Sequence, residues 1–244
     1  MISIVTTAVN RPKVAHQMIQ SLFDNSNVLS MDCEWLVNVD RVKNIERSAE
    51  DFYLTVDTFR AISAWIPVLV LPQWNGGGQG NGLNRLRPRV RGDVVFYLED
   101  DWLCRPEDTT GEKLDLRKIS QRLEKYAFTT LRGRKGKPSM QPNMMRRENF
   151  LGATEGIRPD VDCEHQYMHN WAAAFAKDPE GWAIHPAHDT YFEDLGLDWR
   201  AEHSLHKWKR MQHYHSPVTY CSDDEDTSRE DLAPMEPQKA FAKH

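Results

Sequence analysis

Three consecutive carboxylates, Glu99, Asp100 and Asp101, follow the apolar segment 94–98. Along an extended strand alternate side chains point the same way, which predicts that Glu99 and Asp101 share one side. Carboxylates this close repel each other, so a counter-charge is expected beside them. Mg²⁺ and Mn²⁺ are hard cations that proteins bind through one or two carboxylates together with substrate phosphates. The sequence therefore predicts a divalent metal site here, with a solvated acidic turn as the alternative.

Three further polar segments follow apolar stretches in the same way. They are Thr6–Arg11, Asp40 and the glycine-rich segment 75–82. In open α/β sheets ligands bind beyond the carboxyl ends of the strands, so these segments and the acidic triplet are expected to meet along one edge. The glycine-rich segment lacks the Gly-Lys-Ser/Thr of a phosphate loop, and no G-x-G-x-x-G follows the first strand. Its glycines indicate a flexible loop that approaches the ligand closely.

The apolar pattern predicts strands that alternate with helices at steady spacing. Strands are expected at 2–9, 34–40, 66–71 and 94–98, and helices after Pro12, at 50–64, near 83–86 and at 114–126. Such alternation is typical of right-handed βαβ units and a mostly parallel sheet. The periodicity weakens after residue 105. The predicted fold class is therefore α/β.

The chain of 244 residues has an ordinary globular composition, with 40% hydrophobic and 27% charged residues. This length predicts one large domain or one domain with appendages, and the composition excludes wholesale disorder. No apolar run approaches the ~20 residues of a membrane span, and the N-terminus lacks the pattern of a secretory signal. The four cysteines form no CxxC pair. That argues against a zinc ribbon or a disulfide scaffold and favours the cytoplasm.

The net charge of −5 is unevenly distributed along the chain. Residues 222–244 hold seven acidic and three basic side chains, which leaves a nearly neutral body. We expect this acidic terminus to be flexible. The body contains dense basic clusters that could meet an anionic partner.

Five segments together resemble the family-2-type glycosyltransferases of the GT-A fold. They are Thr6–Pro12, Asp40, Gly80–Arg85, Glu99–Asp101 and Tyr191–Arg200, and Glu99 stands where the family's DxD motif usually begins with Asp. The resemblance implies a Rossmann-like, mostly parallel central sheet flanked by helices, with an acceptor-side C-terminal extension. It implies a single catalytic domain over 1–221, with a nucleotide-sugar half at 1–105 and an acceptor half at 106–221.

The resemblance also implies a role for each matching position. Asp101 would bind Mn²⁺ or Mg²⁺, with His213 or His215 as candidates to complete the metal shell. Asp194 would be the general base, and Glu193 would hold the acceptor. The nucleotide-sugar donor, with a UDP-sugar favoured, would be bound by Thr7, Ala8, Asn10, Arg11, Asp40, Asn84, Glu99 and Asp100.

Alternatives remain open at several of these positions. The Glu at position 99 leaves open whether Glu99 or Asp100 contacts the ribose. Asp194 could instead cap a helix, because Asp is a favoured N-cap residue. Either histidine could instead be an ordinary surface or stacked side chain.

Glycosyl transfer has chemical requirements that these residue types satisfy. The departing nucleoside diphosphate gains charge that a cation stabilises. The acceptor hydroxyl is a poor nucleophile and needs a nearby base. An inverting enzyme needs one such base and no nucleophilic carboxylate, as in inverting glycoside hydrolysis. The sequence therefore favours a metal-dependent inverting glycosyltransferase.

The basic clusters bear on the acceptor. Cations with an interleaved aromatic are typical of a surface that contacts phosphates and stacks bases; the candidates are Arg132, Arg134, Lys135, Lys207, Trp208, Lys209 and Arg210. Because some members of the family that the chain resembles modify the bases of bacteriophage DNA, the resemblance together with these clusters suggests a hydroxymethylated pyrimidine in phage DNA as the acceptor, which would place the protein in the host cytoplasm. The pI of about 6.1 argues against a dedicated DNA binder. A soluble saccharide or a cell-envelope glycan is the alternative acceptor.

Other classes of function would leave different patterns. A metal-dependent nucleotidyltransferase would more often carry a basic glycine-rich loop directly after the first strand, where this chain has Asn10-Arg11-Pro12. A phosphoesterase with two metals would place His/Asp pairs on the early strands. A non-catalytic nucleotide-sugar-binding module would bind the same ligand without turnover.

Overall fold

A six-stranded sheet forms the centre of the protein. The computed structural model describes residues 1–43, 47–132, 138–159, 162–186 and 190–195. The strands are β1 (Ile2–Val9), β2 (Cys33–Asp40), β3 (Val68–Gln73), β4 (Val94–Tyr97), β5 (Trp102–Cys104), β6 (Phe128–Thr130), β7 (Asn143–Arg146) and β8 (Phe192–Asp194). The sheet order is β3-β2-β1-β4-β7-β6, with β1 to β4 parallel and β7 antiparallel to both neighbours. The remaining strands, β5 and β8, form a separate antiparallel pair.

Helices cover both faces of this sheet. They are α1 (Pro12–Asn25), α2 (Ser48–Ala61), α3 (Gly78–Leu86), α4 (Leu116–Arg122), α5 (Arg147–Ala153) and α6 (Cys163–Lys177). Alternate residues of β1 point to opposite faces, so Ile4 packs in the core with α1, α2 and α4, whereas Val5 packs with α3, α5 and α6. Because the sheet is covered on both sides, β1 and β2 are buried along their whole length.

Local sequence explains where several helices begin. Pro12 occupies the first turn of α1, where its missing N–H costs nothing. The Asp115 carboxylate accepts hydrogen bonds from the backbone N–H groups of Arg117 and Lys118 at the start of α4. Asp162 caps α6 in the same way through the N–H of His165.

The predicted α/β class with a mostly parallel sheet is confirmed, and the differences concern element boundaries. The glycine-rich segment was expected to be a loop as far as residue 82, but α3 begins at Gly78. The third strand lies at Val68–Gln73, slightly later than predicted, and the helix expected at 114–126 is confined to Leu116–Arg122. The proposed boundary at residue 221 lies outside the described residues.

Candidate functional site

The parallel strands bring their carboxyl ends to one edge of the sheet. In the register of the sheet Val9 is the partner of Asp40, and Asp40 is the partner of Gln73. A narrow cleft opens there, and its lining includes Thr7, Ala8, Val9, Asn38, Asp40, Gly78, Gln79 and Glu99. Its volume is about 20 Å³, room for roughly one water molecule. A ligand the size of a nucleotide therefore requires the walls of the cleft to move apart.

Asp40 forms one wall of the cleft and also caps α3. Its Oδ2 accepts hydrogen bonds from the backbone N–H groups of Gly78 at 2.6 Å and Gly77 at 3.2 Å. Burial raises the pKa of Asp40 to about 6, although these amides and the nearby Arg85 act in the opposite direction. This contact from β2 explains why a glycine-rich segment forms a helix from Gly78 onward, since the carboxylate satisfies N–H groups at the helix start.

Glu99 is held at the opposite side of the cleft. Its Oε1 accepts a hydrogen bond from Gln79 Nε2 at 2.5 Å, and its Oε2 accepts one from Trp102 Nε1 at 3.3 Å. Gln79 also donates to the Tyr97 hydroxyl at 2.9 Å, and that hydroxyl lies 2.9 Å from Thr7 Oγ1. A polar chain thus runs from α3 across the cleft floor to β1.

Asp100 and Arg11 form a buried ion pair behind the cleft. Their side chains are 1% and 2% exposed, and Arg11 donates to both carboxylate oxygens, at 2.9 Å from Nε and 2.5 Å from Nη2. The backbone N–H of Val9 also donates to Asp100. Arg11 Nη1 lies 3.0 Å from Asp101 Oδ2, so one guanidinium compensates two carboxylates. The counter-charge that the acidic triplet requires is therefore supplied in part by the protein itself.

Asp100 and Asp101 occupy the turn between β4 and β5. The expectation that Glu99 and Asp101 alternate along an extended strand is therefore wrong, because the strand ends at Tyr97. Within the described residues, no group of three or more His, Cys, Asp or Glu side chains is arranged to hold a metal ion. Glu99 and Asp101 are nevertheless of the ligand type that binds Mg²⁺ or Mn²⁺ through one or two carboxylates, with substrate phosphates and water as the remaining ligands.

The pairing of β5 with β8 brings residues from distant parts of the chain to this turn. Asp194 is the register partner of Trp102, the residue that directly follows Asp101. The N–H of Leu195 donates to the carbonyl oxygen of Asp101 at 2.7 Å. The two acidic residues to which the sequence assigned metal binding and proton transfer are therefore neighbours in the structure.

The residues beside Asp194 carry further charge. Glu193 pairs with Arg105 Nη2 at 3.1 Å. The guanidinium carbon of Arg132 lies 4.3 Å from the centre of the Trp102 ring, a cation–π contact. Glu193, Arg105 and Arg132 thus form a partly exposed group of both signs next to the turn.

Asn10 and Asn84, predicted to bind the donor, make structural contacts instead of lining the cleft. Asn10 Oδ1 accepts from the N–H of Val42 at 2.7 Å, and its amide donates to the carbonyl oxygens of Val42 and Ser48. Asn84 Nδ2 donates to the carbonyl oxygen of Ile157 at 2.7 Å. These bonds hold the segments that flank the cleft.

Several predicted residues lie outside the described residues. They are Arg134, Lys135, Lys207, Trp208, Lys209, Arg210, His213 and His215. Of the basic positions proposed for nucleic-acid contact, Arg132 is described.

Among the helices that the structure describes, none combines the length and the apolar character needed to cross a bilayer.

Sequence reasoning missed Gln73, Gln79 and Arg85 as site residues. Gln79 lies in the segment interpreted as a loop, and a period-3.6 pattern is hard to detect where glycines replace apolar residues. Arg85 belongs to the segment Gly80–Arg85 of the resemblance but was given no role, yet it donates to Asn38 Oδ1 at 2.6 Å and Gln73 Oε1 at 3.2 Å. The one available signal was their position beside predicted strand ends.

No protein-family model matches this chain, and no curated protein is significantly similar to it. Solved structures are similar in fold. One is a mannosyltransferase, PcManGT, from Pyrobaculum calidifontis in complex with GDP-Man and Mn²⁺, with a TM-score of 0.57, 12% identity and coverage of 96% of this chain and 65% of that chain. Another is S. aureus TarS 1-349 in complex with UDP-GlcNAc, with a TM-score of 0.54, 12% identity and coverage of 78% of this chain and 57% of that chain.

This chain therefore spans less than two thirds of the length of these two structures. Similarity at 12% identity is evidence of a shared fold. The chain has the GT-A fold that its sequence predicted.

Proposed function

We propose that this protein is a metal-dependent, inverting glycosyltransferase that moves a sugar from a nucleoside diphosphate donor to an acceptor hydroxyl. One observation carries the proposal: the β5–β8 pairing places Asp194 next to the turn that contains Asp101, at the edge of the cleft that Asp40 and Glu99 line. The backbone of a residue suited to accept a proton thus neighbours the turn whose carboxylates are suited to a divalent cation.

The cleft at the ends of β1 and β2 is the proposed donor site. Asp40 would hydrogen-bond the nucleobase, and Thr7 and Ala8 would contact the donor from β1. Two proteins of the same fold were solved with GDP-Man and with UDP-GlcNAc. These structures support a nucleotide sugar as the ligand class, and a UDP-sugar is our first choice.

Asp101, with Glu99, would hold Mn²⁺ or Mg²⁺. When bound, the cation would neutralise the charge that develops on the departing diphosphate. Arg11 reduces the repulsion between Asp100 and Asp101 and opposes the effect of burial, which raises the pKa of Asp100. In this proposal Arg11 and Asp100 support the site from behind.

Asp194 would take the proton from the acceptor hydroxyl as the hydroxyl attacks the sugar carbon. A single base on the acceptor side corresponds to a single displacement, which inverts the configuration at that carbon. Glu193, oriented by Arg105, would hold the acceptor.

The acceptor side carries the cation–π pair of Arg132 and Trp102 beside Asp194. A cation at this position supports an anionic acceptor, and the first candidate is a hydroxymethylated pyrimidine in DNA. A saccharide acceptor is the alternative, and the two are separated by experiment.

The test is a donor screen with the complete chain and Mn²⁺. We expect one nucleotide sugar to release its diphosphate faster than the others when an acceptor is present. Hydroxymethylated DNA and simple saccharides form two arms of the screen, and sugar attached to either is identified by mass spectrometry. Absence of diphosphate release from every donor with both acceptors would contradict the proposal.

A further inference from the structure

Two buried polar atoms at the ends of neighbouring strands have no hydrogen-bond partner among the described residues. They are Oδ1 of Asp40 and Nε2 of Gln73. Each residue is 9% exposed, and the two are register partners at the last position of the β2–β3 pairing. Buried donors and acceptors are nearly always paired, because leaving one unpaired costs free energy. An unpaired acceptor beside an unpaired donor at the edge of a cleft points to a ligand that satisfies both.

The other atom of each side chain is already bound, so the chemical character of the pair is defined. Asp40 Oδ2 accepts from Gly77 and Gly78, which leaves Oδ1 as an acceptor. Gln73 Oε1 accepts from Arg85 Nη1, which leaves the NH₂ group as a donor. Arg85 is itself held by the side chain of Asn38, so its guanidinium opposes a flip of the Gln73 amide.

The segment between β3 and α3 covers this pair. A Cβ atom added at Gly77 would lie 1.6 Å from Gln73 Nε2, so the Gly77 backbone rests directly on the amide. Gly76 and Gly78 have φ angles of +74° and +72°, a left-handed conformation that glycine adopts at little cost. A ligand reaches Gln73 when this segment moves away.

A cation–π pair lies next to these two residues in the sequence. Arg41 and Trp74, the residues that directly follow Asp40 and Gln73, stack with the guanidinium carbon 4.0 Å from the ring centre. Trp74 is 39% exposed. A hydrogen-bonding edge next to a flat cation and ring is suited to a planar heterocycle.

Building on the proposed function, we propose that Gln73 determines which nucleobase the donor carries. Asp40 accepts the ring N–H of the base, and Gln73 donates to the adjacent carbonyl oxygen. Uracil presents N3–H beside O4, and guanine presents N1–H beside O6, so both match. In the same placement, cytosine and adenine turn a ring lone pair toward the carboxylate and an amino group toward the Gln73 NH₂. Both contacts are then repulsive, and the site selects keto bases.

Titration calorimetry of the complete chain with Mn²⁺ tests this selection, using UDP, GDP, CDP and ADP as probes. We expect UDP or GDP to bind at least tenfold more tightly than CDP and ADP. Equal affinity for all four would overturn the role of Gln73 while leaving the proposed function intact. Failure of every diphosphate to bind would overturn the proposed function together with the inference.

Two variants at position 73 test the residue itself. Gln73→Met keeps the length but removes the donor, so we expect about tenfold weaker binding of the keto-base diphosphate, while CDP, relieved of one repulsive contact, binds no more weakly than to the wild type. Gln73→Glu replaces the donor with an acceptor that Arg85 can still pair, and we expect the preference to shift toward CDP. Gln20→Met, an exposed glutamine on α1 paired with Asp24, is the matched control.

Thermal melting verifies that each variant is folded. If Gln73→Glu does not fold, the proposal is tested by Gln73→Met and by the comparison of UDP, GDP, CDP and ADP binding to the wild type. A Gln73→Met protein that keeps the wild-type ratio of UDP to CDP affinity would overturn the proposal.

Discussion

At the scale of single residues, the site depends on carboxylates whose surroundings differ sharply. Asp100 is buried against Arg11, Glu99 accepts from neutral donors, and Asp40 caps a helix with one oxygen. The three groups share a formal charge, yet the proposed function gives them different roles, which are structural support, ligand contact and nucleobase contact respectively. Environment rather than residue type distinguishes these roles.

Asp101 gives the first prediction. Asp101→Asn keeps the volume of the side chain but weakens its affinity for a hard cation. We expect UDP to bind the wild type at least tenfold more tightly with Mn²⁺ than with EDTA, and the variant to lose most of this difference. Titration calorimetry measures it, with Asp57→Asn in an exposed helical ion pair as the control. If the wild type bound UDP as tightly in EDTA as with Mn²⁺, the proposed role of the metal in donor binding would be contradicted.

Asp40 gives a prediction about stability and pH. Burial raises its pKa from 3.8 to about 6, so the folded state binds the proton more readily than the unfolded chain does. Stability therefore falls as the pH rises from about 4 to 6, and above that range the cost of burying the ionised group is fully present. Each pKa unit corresponds to about 1.4 kcal/mol, so the cost is roughly 3 kcal/mol.

Asp40→Asn removes this ionisation and keeps a side chain that can cap α3. We expect the free energy of unfolding to increase at pH 8 and to change little at pH 4. Urea denaturation at the two pH values measures the difference. If the free energy of unfolding increased equally at pH 8 and at pH 4, ionisation of Asp40 would not be what limits stability.

At the scale of elements, the turn after β1 and the turn after β4 are joined by one arginine. Arg11→Met would leave Asp100 and Asp101 buried without their counter-charge. Removal of one partner of a buried ion pair typically costs about 3–5 kcal/mol, and we expect a loss of that size in urea denaturation. Arg60→Met, which breaks an exposed pair with Asp57, should cost less than about 1 kcal/mol. Similar losses in both variants would contradict the structural role of Arg11.

The elements also show what sequence can and cannot predict. The long strands β1 and β2 follow from their apolar, β-branched runs and were predicted within about a residue, and Pro12 correctly predicted the start of α1. The start of α3 was not predicted, because the contact that stabilises it comes from a distant residue. Asp40 is separated in sequence from Gly77 and Gly78, whose N–H groups it binds, by 37 and 38 residues. Strands of three residues such as β5 and β8 are too short to carry a period.

The same limit applies to the site. The sequence proposed Asp40, Glu99 and Asp101 because acidic residues after apolar strands are conspicuous, and the resemblance to glycosyltransferases proposed Asp194. It did not predict that Arg11 pairs with Asp100, which lies 89 residues away. Nor did it identify Gln73, whose significance depends on which atoms its neighbours leave unpaired. Residue types are visible in the sequence, whereas hydrogen-bond pairing is a property of the folded chain.

At the scale of the whole molecule, the fold explains why the site lies where it does. Four parallel strands end at one edge, and the β5–β8 pair attaches a segment from near residue 194 to that edge. The residues proposed for the donor side come from the first hundred positions, whereas the proposed base comes from the far end of the described chain. Such a division would suit the proposed two-substrate reaction, in which each substrate would meet a different part of the polypeptide.

The most direct test of the account measures transfer and donor binding side by side in Asp194→Asn. A general base contributes typically 10²–10⁴-fold to rate, so we expect sugar transfer to fall by about that factor. Donor affinity with Mn²⁺ should change less than about threefold, and Asp57→Asn should match the wild type in both. Undiminished transfer by Asp194→Asn would contradict the account.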